Sequence, residues 1–224
     1  LSTVLRRPAA VLFDLDGTLA DSAPGLADTA NDMRAVRGLP ALPYAALRPA
    51  VGSGARGMVG VAFGLQPGAV GYEALRDEFL AAYPRRMLEK TRLFDGVAEL
   101  LAALDAIGLP WGIVTNKALR FAQPMAQALG LHARIGVLVG GDSTAHTKPH
   151  PAPLLEAARG MAQPASACVY VGDDLRDMQA GRAAGMGVIA AGWGYLGHGA
   201  EIGQWGADAI LTRPIELLQS LELA

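Results

Sequence analysis

The sequence predicts an α/β protein, an open parallel sheet carrying an inserted, smaller helical unit, and three features carry that expectation. Short apolar runs recur along the chain and alternate with helical segments. One stretch near the front breaks the alternation and contains no convincing strand. The polar residues that close the apolar runs are largely aspartates, and in an open parallel sheet the ligand sits outside the carboxyl ends of the strands.

The first apolar run, Ala9 to Phe13, leads into Asp14-Leu15-Asp16-Gly17-Thr18 and suits a buried parallel strand entering a loop. Similar runs at 111–115, 135–139, 168–172 and 186–190 are expected strands, and 207–211 is a weaker one. Helices are expected between them at 97–107, 119–129, 151–159, 175–184 and 214–221. From about residue 22 to 91 the periodicity is helical at 26–36, 56–63 and 72–88. Gly38, Pro40, Pro43, Gly52, Gly54, Gly64, Pro67 and Gly68 mark turns there. The expected division is therefore a core of residues 1–20 and 92–224 with a helical insertion over 21–91.

About half of the 224 residues are hydrophobic and 18% are charged, which excludes wholesale disorder. The net charge of −2 and the absence of a basic run argue against nucleic acid as a partner. No window is apolar enough to span a bilayer, and residues 1–10 lack the apolar stretch of a signal peptide. Cys168 is the single cysteine, so no internal disulfide forms; a cytoplasmic protein, monomer or homodimer, is the expectation.

Asp14, Asp16, Asp173, Asp174 and Asp177 would gather five carboxylates around two strand ends. Like charges that close require a shared cation, shifted pKa values, or both. An all-oxygen donor set favours a hard ion, and Mg²⁺ is its natural occupant. The histidines, at 132, 146, 150 and 198, have no spacing suited to zinc. Each acid and its neighbours also admit a plainer account. Asp174 and Asp177 suit the first turn of a helix, Thr115 a helix cap, and Lys148 a solvated surface. Asp14 is harder to explain so simply, because an acid closing Val11-Leu12-Phe13, two residues before another, has little structural purpose.

Asp14-Leu15-Asp16-Gly17-Thr18 resembles the DxDGT signature of the haloacid-dehalogenase-like hydrolases. Thr115 resembles the strand-closing hydroxyl of that family's second motif, Lys148 in Thr147-Lys148-Pro149 the third, and Gly172 to Asp177 the fourth. The resemblance spans essentially the whole chain and implies a Rossmann-like parallel sheet core with an inserted small helical cap domain. It implies Asp14 as nucleophile and Asp16 as acid/base. It further implies Mg²⁺ held by Asp14, the Asp16 backbone carbonyl and Asp173, with Asp174 either a direct or an indirect ligand. Thr115 and Lys148 would hold phosphoryl oxygens, helped by the backbone around Gly17, Thr18 and Asn116, and Asp177 would orient Lys148.

The insertion point resembles that of the phosphoglycolate-phosphatase-like branch, which implies a phosphatase acting on a small phosphomonoester. Within the cap, Gly52-Ser53-Gly54-Ala55-Arg56 is the expected reader of a substrate carboxylate, the alternative being a flexible loop with a solvated arginine. Several stretches, among them 54–59, 93–96, 111–117 and 205–208, resemble the N-acetylmuramic acid 6-phosphate phosphatases of cell-wall recycling. A phosphomutase would share all four motifs, and a non-catalytic binding protein would be expected to lack one of the catalytic groups.

Overall fold

The computed structural model describes residues 7–197 and 199–223; His198 lies outside the described residues. A six-stranded, all-parallel sheet forms the core. Its strands are β1 (Ala10–Phe13), β4 (Trp111–Val114), β5 (Leu138–Val139), β6 (Cys168–Gly172), β7 (Gly187–Ala191) and β8 (Ala209–Leu211), ordered β5-β4-β1-β6-β7-β8. The chain builds outward from β1 in one direction and then in the other, so the strand order reverses beside β1. That reversal opens the crevice in which such sheets bind ligands.

Successive side chains of a strand point to opposite faces, and here both faces are covered. Val11 and Phe13 join one apolar cluster with Leu100, Trp111 and Val171, while Ala10 and Leu12 join another with Leu154 and Tyr170. This double burial is why the strands read as continuous apolar runs. The covering helices are α5 (Val97–Ala106), α6 (Leu119–Ala128), α7 (Ala152–Gly160), α8 (Leu175–Ala183) and α9 (Glu216–Ser220).

Several expected elements are shorter than the sequence suggested, and two of them show why. Residues 135–139 give only a two-residue strand, although Gly136 and Val137 bond to the backbone of Trp111 and Ile113 just before it. The helix expected to reach residue 88 ends at Ala82, because Pro84 lacks an amide hydrogen and turns the chain into a 3₁₀ segment, Tyr83–Arg85.

The insertion is helical: α1 (Ala23–Val36), α2 (Tyr44–Leu47), a 3₁₀ turn at Arg48–Ser53, α3 (Gly54–Phe63) and α4 (Tyr72–Ala82). Of these, α2 and the 3₁₀ turn had no signal in the hydrophobic pattern, being too short to show a period. A small antiparallel pair, β2 (Ala20–Asp21) and β3 (Arg92–Leu93), joins the two ends of the insertion. The fold is thus an α/β sheet with a helical cap entering and leaving through one two-stranded hinge. Among the described residues, no helix is long and apolar enough to cross a membrane.

Candidate active site

The carboxyl ends of β1, β4 and β6 converge on a cavity of about 300 Å³. Its floor is core: Asp14, Asp16, Thr115, Asn116, Lys148, Asp173 and Asp177. Its roof is cap: Leu26, residues 51–55, Phe79, Leu80 and Tyr83. The parallel ladder fixes the floor, since the Asp14 amide donates to Val171 O at 2.9 Å and the Thr115 amide to Val139 O at 2.9 Å.

Lys148 is the charge centre of the floor. Its side chain is 2% exposed, and Nζ lies 2.9 Å from Asp14 Oδ1 and 2.8 Å from Asp177 Oδ1. It also donates to the Tyr170 hydroxyl at 2.7 Å and to Val114 O at 3.1 Å, while that hydroxyl donates to Val114 O at 2.8 Å. Burial works against the ammonium, but Asp14 and Asp177 more than offset it and hold its pKa above the usual lysine value. Asn116 clamps the Lys148 backbone reciprocally, its amide group donating to Lys148 O at 3.0 Å and accepting from Lys148 N at 2.9 Å.

Among the described residues, Asp14 Oδ1 is buried and ion-paired with Nζ but has no aligned hydrogen bond. Asp14, Asp173 and Asp177 each bring a carboxylate oxygen within 4.8 Å of the others, an acidic cluster able to hold a metal ion. Asp177 already gives one oxygen to Lys148 and the other to the Asp174 amide at 3.1 Å. Asp14 and Asp173 are the members of this cluster that would hold a cation, since Asp177 is committed to Lys148 and the Asp174 amide.

The electrostatics agree with that fit. Burial first, then Asp177 and Asp16, push the Asp14 carboxyl up to about 7 against the pull of Lys148. Burial, then Asp14 and Asp177, raise Asp173 well above the carboxylate range.

Gly17 and Thr18 sit behind the cavity rather than in its lining. Thr18 is fully buried and donates to Asp173 Oδ1 at 3.2 Å, and the Tyr195 amide donates to Asp173 Oδ2 at 2.8 Å. Gly17, with φ +92°, passes so close to Asp173 that a Cβ there would strike its carboxylate. Both residues pack against Asp173 and fix the place of its carboxylate. Asp174 lines the cavity and also caps α8, accepting from the Arg176 amide at 2.9 Å and forming a capping box with Asp177. Its carboxylate also grips the Arg176 guanidinium, which outweighs burial and lowers its pKa.

Arg56 is not brought to the site. It is exposed on α3 and absent from the cavity lining, whereas the preceding Gly52 to Ala55 do line it. The basic groups that border the cavity are Lys117, Arg120 and Arg176, beside Lys148. Of these only Lys117 stood at an expected strand end, and nothing in the pattern gave it a task. Arg120 and Arg176 lie in first turns of helices, where a sequence shows only solvated charge.

A family model for haloacid dehalogenase-like hydrolases matches residues 8–185. The chain belongs to this family. Among haloacid dehalogenase-like relatives, a phosphoglycolate phosphatase of Xanthomonas campestris pv. campestris is 49% identical over 95% of this chain and 96% of its own. An N-acetylmuramic acid 6-phosphate phosphatase of Pseudomonas putida is 43% identical over 97% and 98%. The crystal structure of a predicted phosphoglycolate phosphatase from Haemophilus somnus 129pt superposes with a TM-score of 0.83 at 28% identity, covering 95% of this chain and 97% of that one. This haloacid dehalogenase-like chain is a phosphatase of the phosphoglycolate-phosphatase-like kind.

Proposed function

We propose that the enzyme hydrolyses the phosphomonoester of a small, carboxylate-bearing metabolite through a phosphoryl group carried transiently on Asp14. The observation that supports this most is the buried Asp14 carboxylate at the cavity floor, paired with Lys148 and clustered with Asp173 and Asp177. Asp14 attacks phosphorus, which splits hydrolysis into formation and breakdown of an acyl phosphate. Asp16 gives a proton to the departing oxygen and then takes one from water. Thr115 and Lys148 hold phosphoryl oxygens and balance charge that grows in the transition state. Asp177 keeps Lys148 aimed at Asp14. Mg²⁺ suits the oxygen donors of Asp14, Asp173 and the Asp16 carbonyl, and when bound it polarises a phosphoryl oxygen.

In this reading residues 21–91 form the cap and read the leaving group, while 1–20 and 92–224 form the core. Every side chain in the mechanism comes from one chain, so a monomer or a homodimer serves equally, and the cytoplasm is its expected place. Between the two substrates named for its relatives, cavity size favours the larger. About 300 Å³ walled by Leu26, Phe79, Leu80 and Phe121 offers apolar cover that a two-carbon acid phosphate leaves unused. N-acetylmuramic acid 6-phosphate, or an acidic sugar phosphate of its size, is the substrate we infer.

Two measurements test this. Asp14→Asn should abolish Mg²⁺-dependent phosphate release while the protein still unfolds cooperatively; substantial residual turnover would refute Asp14 as nucleophile. Comparing kcat/KM for N-acetylmuramic acid 6-phosphate, 2-phosphoglycolate and hexose phosphates should rank the acidic sugar first. Preference for 2-phosphoglycolate would overturn the substrate assignment and leave the chemistry standing.

A further inference from the structure

Lys117 follows the Asn116 clamp and borders the cavity, yet the proposed mechanism gives it no task. Its side chain is 9% exposed, and a buried ammonium is costly unless it is paired. Nζ lies 3.3 Å from Asp16 Oδ2, donates to the Tyr83 hydroxyl at 3.1 Å and sits 4.8 Å from the centre of the same ring. Burial opposes its charge, while Asp16 and Tyr83 reverse that and keep its pKa above the ordinary lysine value. The other Asp16 oxygen accepts from Ser22 Oγ. Asp16 is therefore held at both oxygens, by a hinge serine on one side and by Lys117 on the other.

Tyr83 belongs to the cap, where it closes the last helical stretch. It is 2% exposed, stacked on Phe79 of α4 at 6.1 Å between ring centres and edge-on to Phe121 of the core helix α6 at 5.6 Å. The tyrosine that steadies Lys117 is thus itself positioned by the seating of cap on core. We propose that Lys117 is a positioning residue for Asp16, and that Tyr83 holds it in place when the cap is seated. The inference rests on the reading of Asp16 as the acid/base group. It accounts for a buried cation that faces the cavity with its charge already engaged: Lys117 orients a proton donor and does not itself bind substrate.

The test compares leaving groups. An alkyl phosphate needs a proton as its alcohol departs, whereas p-nitrophenyl phosphate releases a stable phenolate without one. For Asp16→Asn, kcat/KM on the sugar phosphate should fall by about 10²–10⁴-fold, and by at least about tenfold less on p-nitrophenyl phosphate. Lys117→Met should show the same bias, losing about tenfold more on the sugar phosphate, mainly in kcat. Lys117→Arg should recover part of that loss, and Tyr83→Phe should reproduce it in smaller degree. On the Asp16→Asn background, Lys117→Met should add less than about twofold.

Equal losses on both substrates, a loss confined to KM, or a full further loss on the Asp16→Asn background would each overturn the assignment. If Lys117→Met does not fold, Lys117→Arg and Tyr83→Phe carry the same comparison, and an unbiased loss in both overturns it. If Asp16→Asn itself shows no bias, the acid/base reading falls and this inference falls with it. Bias in Asp16→Asn without bias at Lys117 removes the Lys117 assignment alone.

Discussion

Titrating Mg²⁺ into the metal-free enzyme at about pH 6 and about pH 8 probes the carboxylate cluster without any need for a substrate. Burial, reinforced by Asp177 and Asp16 and opposed by Lys148, brings Asp14 from 3.8 up to about 7. A cation and a proton compete for that carboxylate. With a pKa of about 7, Asp14 is ionised in about one molecule in ten at pH 6 and about nine in ten at pH 8. Mg²⁺ affinity should therefore rise about tenfold across this window, about 1.4 kcal/mol. Asp173, raised for the same reasons, makes the dependence steeper.

The effect on stability runs in a defined direction. A folded pKa above the unfolded 3.8 means that the native state keeps a proton the unfolded chain has released. The stability that Asp14 contributes is complete below about pH 4 and is lost as pH rises through about 7. The metal-free enzyme should accordingly weaken over that range, and Mg²⁺ should raise its melting temperature more at pH 8 than at pH 6. Calorimetry in two buffers of different ionisation enthalpy counts the protons released on binding. About one or more is expected at pH 6 and fewer at pH 8. Equal affinity at both pH values with no proton release would refute Asp14 as a protonated ligand awaiting metal.

Other substitutions act through single contacts. Gly17→Ala should cost at least about 1–3 kcal/mol in urea unfolding, from a positive φ and a Cβ driven into Asp173, and should weaken Mg²⁺ binding. Tyr170→Phe removes the hydroxyl shared by Lys148 and Val114 O, so about 1–3 kcal/mol of stability should be lost, with kcat lowered and KM little changed. Arg56→Ala should leave the KM for a carboxylate-bearing substrate within about twofold, because Arg56 does not border the cavity. Arg120, which does border it, should raise that KM when changed to Ala, by about tenfold.

How legible this molecule was depended on where the physics is local. Strands β1 and β6 are apolar on both faces, so Val11, Leu12 and Phe13 form a continuous run and the acid that ends it stands out. Asp14 and Asp173 were visible for that reason. Arg56 misled because a glycine-rich turn before a helix looks like an anion site in any sequence, and only the fold shows that its side chain faces out. Gly17 and Thr18 were read as contacts because they follow Asp14 closely, but their close packing is against Asp173, 155 residues beyond Thr18. Lys117 and Tyr83 are 34 residues apart and meet only when α4 lies over α6, so no periodicity reports their pairing.

This separation of local from non-local contacts matches a separation in the chemistry. The end of the cavity proposed to take the phosphoryl group is made by the core alone, with Asp14 and Thr115 held by ladder bonds and Lys148 by buried charge. The opposite end is made where cap meets core. Arg176 donates to Gly52 O at 2.6 Å across that boundary, and Arg48 to Gly194 O at 3.2 Å elsewhere along it. Asp16 stands between the two ends, tied to the hinge through Ser22 and to the cap through Lys117 and Tyr83. Changes at Thr115 or Lys148 should then lower turnover by a similar factor for every phosphate ester, whereas a change at Asp16 should not. Changes at the cap boundary should alter the ratio between esters, since proton delivery to the leaving group is the step that both ends share.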